Sequence, residues 1–383
     1  MEIPFQVGVP VTGKNLIDRE EILEEMHRSV LSIKKGTRQD FALISPRRMG
    51  KTSILLTLKQ KLEGEVVCVY LDCSKLYPST LVNFLQNYSA EVYSGYSKKQ
   101  GMEAGDRISK AVRGVGTAIL DIIQSFGAEF GDIKVWLEFR EKKIDESQLM
   151  ERVLNLPEKL GERDVHFLII LDEFQELEKF GTDFLKYLRG VITSHRRADY
   201  IVSGSAVSMM EKIVYDKKSP FYNLFVVKTL NNLPRRDAKE FLRKKFGGFK
   251  YKDEAMESIL DISMCHPFYL QWLARSVYIA AMTEKKITKE IVENAYHSAL
   301  KEPSGHFEYE VAKIKDRGRY FDILVVMAKY DLKTPSSAGR ELGLKAGEIS
   351  PYLKRLIEMG FLKKNKGYEF VDEILKEWIK ATY

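Results

Sequence analysis

The residues best suited to chemistry in this chain lie in one short segment, residues 45–52, with the sequence SPRRMGKT. Its Gly-Lys-Thr end matches the phosphate-binding loop G-x-x-x-x-G-K-[ST], but Ser45 replaces the opening glycine. Such a loop points successive backbone N–H groups at phosphate oxygens, and the helix that follows aims its positive dipole end at them. Serine removes none of these donors. The segment therefore predicts a working nucleotide site, although a Gly-Lys-Thr that merely opens an ordinary helix is the alternative.

Each residue type at this spacing has a distinct task. Lys51 would reach the β- and γ-phosphates, and the Thr52 hydroxyl would bind Mg²⁺. Gly50 allows a backbone conformation that a Cβ would hinder. We expect ATP or ADP with Mg²⁺ as the cofactor. The candidate nucleotide contacts in this segment are Ser45, Pro46, Arg47, Arg48, Met49, Gly50, Lys51, Thr52 and Ser53.

A second candidate segment, LIILDEF at residues 168–174, ends a buried apolar run with Asp172 and Glu173. Ligands of parallel α/β sheets bind beyond the carboxyl ends of the strands. Asp172 would hold the metal and its water shell, and Glu173 would act as general base on the attacking water. The alternative is a charged strand end that begins a helix, where acids are favoured. The two motifs in this order favour the catalytic interpretation.

Two further hydroxyls end another apolar run, IVSGSA at residues 201–206. Ser205 is a candidate for ordering the water near the γ-phosphate. The alternative is that Ser203 and Ser205 belong to a strand-to-loop turn built from Ser and Gly. The sequence alone favours this turn.

The elements that must position these residues are five apolar runs separated mostly by helical patterns. Runs that are apolar on both faces and alternate with helices predict a parallel sheet covered on both sides. We therefore expect a P-loop NTPase αβα core over residues 1–232, with a helical insertion at about 75–163 that contains a strand-like IKVWLEF (133–139). The five runs are residues 40–44, 65–73, 164–174, 199–205 and 224–230.

Beyond the core, four helical patterns with no strand signal between them predict a small helical domain at 233–305, and residues 301–310 supply a boundary. The segment 316–383 then shows three helical patterns and a hairpin with its turn at 365–367, which predicts a winged helix-turn-helix domain. Double-stranded DNA is a candidate partner, since the third helix of such a unit can enter the major groove. The slight basic excess leaves protein contacts or self-association as the alternative. The candidate DNA contacts are Ser350, Tyr352, Lys354, Arg355, Lys363, Lys364 and Lys366.

Composition sets limits on the class of protein. The chain has 383 residues, of which 44% are hydrophobic and 30% charged, as in a globular protein with a sizeable core. The net charge of +7 permits an acidic partner but is spread along the chain. No apolar run approaches the ~18 residues of a membrane span, and no secretion signal begins the chain. We expect a cytoplasmic protein without a membrane partner, whose three cysteines are free thiols and not zinc ligands.

Taken together, these segments resemble the archaeal-type AAA+ ATPases of the STAND group, the signal-transduction ATPases with numerous domains. The resemblance covers most of the chain and implies an ATPase core, a helical lid and usually a winged helix. It places Arg19 in a box near the adenine, with Asp18 where glycine is usual, and makes Pro267 a lid residue that contacts the nucleotide. The segments that carry it are PVTGKNLIDREEIL (10–23), ISPRRMGKTSIL (44–55), LIILDEFQEL (168–177), IVSGSAVSMMEKI (201–213), SPFYNLF (219–225) and HPFYLQWLA (266–274).

One departure from the family pattern concerns hydrolysis. Where relatives commonly have Gly-Arg, this chain has Asn223-Leu224, and that arginine is the natural candidate for an arginine finger worth ~10³–10⁵ in rate. Two functions therefore remain open. Glu173 favours slow Mg²⁺-dependent ATP hydrolysis that drives a conformational switch, whereas the missing arginine favours an ATP-gated regulator that binds DNA or protein with little hydrolysis. Substitutes for the arginine are Arg47, Arg48, Arg196 and Arg197.

Overall fold

A five-stranded parallel sheet forms the centre of the molecule. A computed structural model of the protein describes residues 3–13, 16–101, 138, 142–161, 164–301 and 305–383, so the strand-like run predicted at 133–139 lies outside the described residues apart from Glu138. The strand order is β2-β3-β4-β1-β5, and every neighbouring pair is parallel. This confirms the predicted αβα core. The strands are β1 (Phe41–Ile44), β2 (Val67–Asp72), β3 (Phe167–Asp172), β4 (Ala198–Gly204) and β5 (Val226–Thr229).

Burial along the strands follows their positions in the sheet. Every residue of the three inner strands β1, β3 and β4 is buried, which explains their uninterrupted apolar sequences. On one face, residues such as Phe41 and Ile170 pack beneath α1 (Glu20–Ser32) and α2 (Lys51–Lys61). The helices on the other face are α3 (Leu81–Lys99), α4 (Glu146–Leu154), α5 (Leu156–Gly161), α6 (Thr182–Ser194) and α7 (Val207–Tyr215).

The strand order brings the candidate residues to one edge. Because β4 lies between β1 and β3, the carboxyl ends of these three strands are adjacent, with Ile44 level with Gly204 and Leu171 level with Val202. The phosphate loop follows β1, the acidic pair lies at the end of β3, and Ser205 follows β4. The sheet therefore assembles residues that lie far apart along the chain.

The segment after the sheet is helical, with α8 (Arg235–Lys245), α9 (Asp253–Ser263), α10 (Pro267–Ala281) and α11 (Lys289–Lys301). The prediction that no strand interrupts it was wrong, because β6 (Lys250–Tyr251) and β7 (Lys286–Ile287) pair in parallel. Two residues are too few to show the alternation by which a strand is recognised.

The remaining chain forms α12 (Gly305–Lys315), α13 (Tyr320–Tyr330), α14 (Pro335–Leu342), α15 (Ala346–Glu358), an antiparallel hairpin of β8 (Leu362–Lys364) and β9 (Tyr368–Phe370), and α16 (Glu373–Thr382). The three helices and hairpin follow the predicted order, whereas α16 and the helical course of α12 were not predicted. Phe307 of α12 stacks on Tyr269 of α10 and on Trp378 of α16, with ring centroids 6.2 and 5.2 Å away. The chain on both sides of the predicted boundary therefore shares one apolar core.

Within the described ranges, none of the helices has both the length and the apolar composition needed to cross a bilayer.

Candidate active site

The loop between β1 and α2 has the backbone geometry that its sequence predicts. Gly50 takes a φ of 93°, in the left-handed region that disfavours side chains. A Cβ there would meet nothing within 4 Å, so the requirement for glycine is conformational and not one of space. Arg48 also has a positive φ, 64°, which is uncommon for a residue with a side chain. The loop thus turns sharply at two points before α2 begins at Lys51.

The Lys51 side chain lies inside this loop and is 5% exposed. Its Nζ donates to the backbone carbonyls of Ser45, at 2.7 Å, and Pro46, at 2.9 Å. Burial lowers the pKa of Lys51 to about 8, and the Arg47 charge adds to that, while Glu173 and Asp172 oppose it. A phosphate group entering the loop would compete with the two carbonyls for the ammonium.

The depressed pKa of Lys51 predicts that nucleotide binding weakens in alkaline solution. Below pH about 8 the ammonium is already charged, so its contribution to phosphate binding is constant. Above that pH, binding a phosphate requires uptake of a proton, and the affinity for MgADP falls by up to about tenfold per pH unit. Calorimetry at about pH 7 and about pH 9, in buffers of different ionisation enthalpy, measures affinity and proton uptake together. Equal affinities for MgADP at the two pH values, without proton uptake at the higher one, would contradict this prediction.

Asp172 is the more deeply buried of the two acids of the site. It is 2% exposed, and its carboxylate accepts hydrogen bonds at both oxygens. The Oδ2 atom accepts from Thr52 Oγ1 at 2.9 Å and from the Tyr70 hydroxyl at 2.7 Å, while Oδ1 accepts from the Ser203 hydroxyl and from the Glu173 N–H at 3.1 Å. The predicted metal-binding pair, Thr52 and Asp172, is therefore in direct contact.

The Thr52–Asp172 pair fits a magnesium ion. Both contribute hard oxygen atoms, and their 2.9 Å separation matches the edge of an octahedron with ligands at about 2.0–2.1 Å. No cluster of three or more His, Cys, Asp or Glu side chains in the described part of the chain could hold a metal alone. An ion bound here would complete its shell with phosphate oxygens and water.

Tyr70 was not identified from the sequence. It lies on β2 level with Ile170 of β3, and its hydroxyl reaches Asp172 across that strand pair. The contact depends on which strand neighbours β3, and strand order is not visible in a single sequence. We infer that Tyr70 orients the carboxylate that would hold the metal.

Replacing Tyr70 by phenylalanine should raise the Mg²⁺ concentration needed for half-maximal ATP hydrolysis by about three- to tenfold, the equivalent of one lost hydrogen bond. Affinity for ATP in the presence of EDTA should not change, because Tyr70 is not among the cavity-lining residues. Tyr77→Phe is the matched control, since the Tyr77 side chain is 93% exposed. An unchanged Mg²⁺ dependence in Tyr70→Phe would exclude the orienting role.

Glu173 follows β3 with a φ of 54°, again in the left-handed region. Its Oε2 accepts from Gln175 Nε2 at 2.5 Å, from the Ser205 hydroxyl at 2.7 Å and from the Ser205 N–H at 3.2 Å. The sequence alone favoured a simple turn for Ser203 and Ser205. In the structure each serine hydroxyl donates to one of the two acids, and Gln175 is a further contact that sequence reasoning missed.

Glu173 and most of the phosphate loop border a cavity of about 580 Å³, large enough for a nucleotide, whereas Asp172 and Ser205 lie behind its wall. Its wall includes predicted residues 47–53, Arg19, Pro267 and Glu173. Ser45 and Pro46 do not line it and act through the carbonyls that hold Lys51. Lining residues that the sequence did not predict include Gln6, Val9, Gln271, Tyr309 and Glu310.

The proposed substitutes for the missing arginine separate into two groups. Arg196 and Arg197 donate backbone N–H groups to Glu158, and the Arg197 carbonyl accepts from the N–H of Phe167 at the start of β3. They therefore lie one strand length, roughly 16 Å, from the sheet edge where β3 ends, and their proposed role within one molecule is wrong. Arg47 and Arg48 both line the cavity.

The predicted DNA contacts on α15 are largely engaged within the chain. Ser350 donates to the Ala346 carbonyl at 2.8 Å, Tyr352 packs on Tyr320 with ring centroids 5.0 Å apart, and Arg355 pairs with Glu358 at 2.8 Å. Helix α15 also contacts α7 of the sheet region. The exposed members of the predicted set are Lys354, Arg355, Lys363, Lys364 and Lys366.

The strand order, the loop after β1 and the acid pair after β3 together define the fold of a P-loop ATPase. Solved structures with this fold include the Walker-type ATPase Paby2304 of Pyrococcus abyssi, with a TM-score of 0.66 and 17% identity over 97% of this chain and 99% of that one. The ORC2 protein of Aeropyrum pernix, solved with ADPNP and ADP, has a TM-score of 0.56 and 13% identity over 97% and 96%. The ORC1 protein of the same organism, solved with DNA, has a TM-score of 0.50 and 12% identity over 96% and 92%.

One curated relative matches part of the sequence. The uncharacterized protein MJECL04 of Methanocaldococcus jannaschii is 26% identical over 201 residues, which is 51% of this chain. The match covers 42% of that protein's length, so this chain corresponds to less than half of it. No protein-family model matches the chain.

Proposed function

We propose that this chain is a Mg²⁺-dependent ATPase of the AAA+ class and of the STAND type, which hydrolyses ATP slowly and uses the cycle as a conformational switch. One observation carries the proposal: a single cavity is lined by the phosphate-loop lysine, the Thr52 of the metal pair and the Glu173 carboxylate. A protein that only bound nucleotide would have no need of a general base in that position.

In the proposed reaction, a water oxygen forms a bond to the γ-phosphorus while the bond from that phosphorus to the β,γ-bridging oxygen breaks. The electron pair of the broken bond stays on the β-phosphate, so the products are ADP and phosphate. Glu173 accepts the proton of the attacking water, and the contacts of Ser205 and Gln175 at Oε2 leave Oε1 to receive it. Lys51 donates to β- and γ-phosphate oxygens. Mg²⁺, when bound, would neutralise charge that develops on those oxygens.

The helical segment after residue 233 is suited to act as the lid. Pro267, Phe268 and Gln271 at the start of α10 line the same cavity as the phosphate loop. Proline at the first turn fits α10 without loss of a helix hydrogen bond, and His266 caps the helix by accepting from the Phe268 N–H. In the proposed conformational switch, movement of this helical segment opens or closes the nucleotide cavity.

Phosphate release from MgATP tests the proposed activity. We expect slow, steady release that stops when EDTA removes the metal. ATP that binds tightly but is not hydrolysed would instead support the second candidate, an ATP-gated regulator.

The second candidate includes DNA binding by the C-terminal helices and hairpin as a winged helix. The exposed Lys363, Lys364 and Lys366 favour it, because they form a cationic hairpin suited to phosphate contacts. Filter binding to mixed duplexes at several salt concentrations tests it. Replacing all three lysines by alanine should reduce the salt-dependence slope by about three. Absence of salt-dependent binding below about tens of micromolar would exclude this role.

A further inference from the structure

Three arginines of the described chain line the cavity, and each contacts a different part of the chain. Arg19 donates to the carbonyls of Asn231, at 2.7 Å, and Asp18, at 3.1 Å. The Arg48 guanidinium lies 4.2 Å from the centre of the Phe268 ring, on the lid side.

Arg47 is placed differently. It is the third residue of the phosphate loop, its side chain is 45% exposed, and it forms a salt bridge with Glu310 of α12. It lines the cavity together with Lys51 and Thr52 of the same loop. Arg47 is therefore a loop arginine that is exposed to the cavity and paired with a carboxylate of its wall.

Glu310 is unexpected in the wall of a cavity suited to a polyphosphate. A carboxylate repels phosphate oxygens unless a cation neutralises it, and Arg47 supplies that cation. A third phosphate adds negative charge beside Arg47 that ADP does not bring. The γ-phosphate and Glu310 would thus compete for one guanidinium.

We propose that Arg47 contacts the γ-phosphate from within the same molecule and that Glu310 competes with that phosphate for it. The inference rests on the proposed function and supplies the arginine that the Asn223-Leu224 segment lacks. Arg47 stays protonated throughout and donates N–H groups to γ-phosphate oxygens, so it adds no proton transfer to the reaction. The phosphate loop would therefore keep its Arg47–Glu310 salt bridge to α12 when ADP is bound and lose it when ATP is bound.

The test compares the affinity for Mg²⁺ with a non-hydrolysable ATP analogue and the affinity for MgADP, so it does not depend on turnover. In Arg47→Ala, the preference for the analogue over ADP should fall by about tenfold, the equivalent of one charge-assisted hydrogen bond. Arg47→Lys should retain part of the preference for the analogue over ADP. Glu310→Gln should raise the preference several-fold, and this gain should vanish in the double variant with Arg47→Ala. Arg28→Ala, a change at an exposed arginine of α1, is the matched control.

Two results would overturn the inference. In the first, Arg47→Ala weakens binding of both nucleotides equally or of neither. In the second, the effect of Glu310→Gln persists without Arg47. Failure of the proposed function gives a different result, because a wild type that cannot hydrolyse ATP can still prefer the analogue over ADP.

Discussion

Replacing Glu173 by glutamine is expected to reduce ATP turnover by about 10²–10⁴-fold, the usual contribution of a general base, while ATP remains bound. The amide cannot accept the proton of the attacking water. It keeps nearly the same shape, so Thr52, Asp172 and Lys51 remain in place. The measurement is phosphate release together with the amount of ATP that stays with the protein through a desalting column.

Glu178→Gln is the matched control for this change. Glu178 lies in the short 3₁₀ segment that directly follows Glu173, Phe174–Phe180, but is exposed and does not line the cavity. The Glu178→Gln variant should hydrolyse ATP at the wild-type rate. Equal turnover by Glu173→Gln and the wild type would mean that Glu173 is not the base.

Replacing Lys51 by alanine is expected to weaken binding of MgADP and MgATP by about a hundredfold or more. The Lys51 ammonium is the buried cation at the centre of the loop, and hydrogen bonds from charged groups to phosphate contribute about 1.5–3 kcal/mol each. The change also leaves the carbonyls of Ser45 and Pro46 without their donor. Equilibrium titration with a fluorescent ADP analogue measures the loss.

Lys61→Ala provides the matched control for this second variant. Lys61 lies on the same helix, α2, at its exposed end. The Lys61→Ala variant should bind nucleotide with the affinity of the wild type, and this variant and the wild type should unfold at similar temperatures. If Lys51→Ala binds nucleotide normally, the loop between β1 and α2 is not the phosphate site.

The parts of the site that were predictable from sequence are those set by local chain geometry. A buried strand, a glycine with positive φ and a helix that starts at Lys51 follow one another directly, so the loop could be located. The same holds for Asp172 and Glu173 at the end of β3. The apolar runs sufficed for a parallel sheet, since strands buried on both faces have this pattern.

The contacts that were not predicted join distant parts of the chain. Tyr70 reaches Asp172 only because β2 and β3 are neighbours, and Glu310 reaches Arg47 across 263 positions of sequence. Ser203 and Ser205 were interpreted as turn residues because nothing local shows that β4 lies beside β3. Arg196 and Arg197 were placed near the site because sequence does not show at which sheet edge a loop lies.

The most direct test of the central claim is a single-turnover experiment with the protein in excess over γ-labelled ATP. Rapid quenching follows the conversion of bound ATP to ADP and phosphate in the wild type and in Glu173→Gln. We expect the wild type to convert all bound ATP when Mg²⁺ is present, and the variant to hold it unconverted. Bound ATP that remains intact in both proteins would contradict hydrolysis by this site and leave a nucleotide-gated switch.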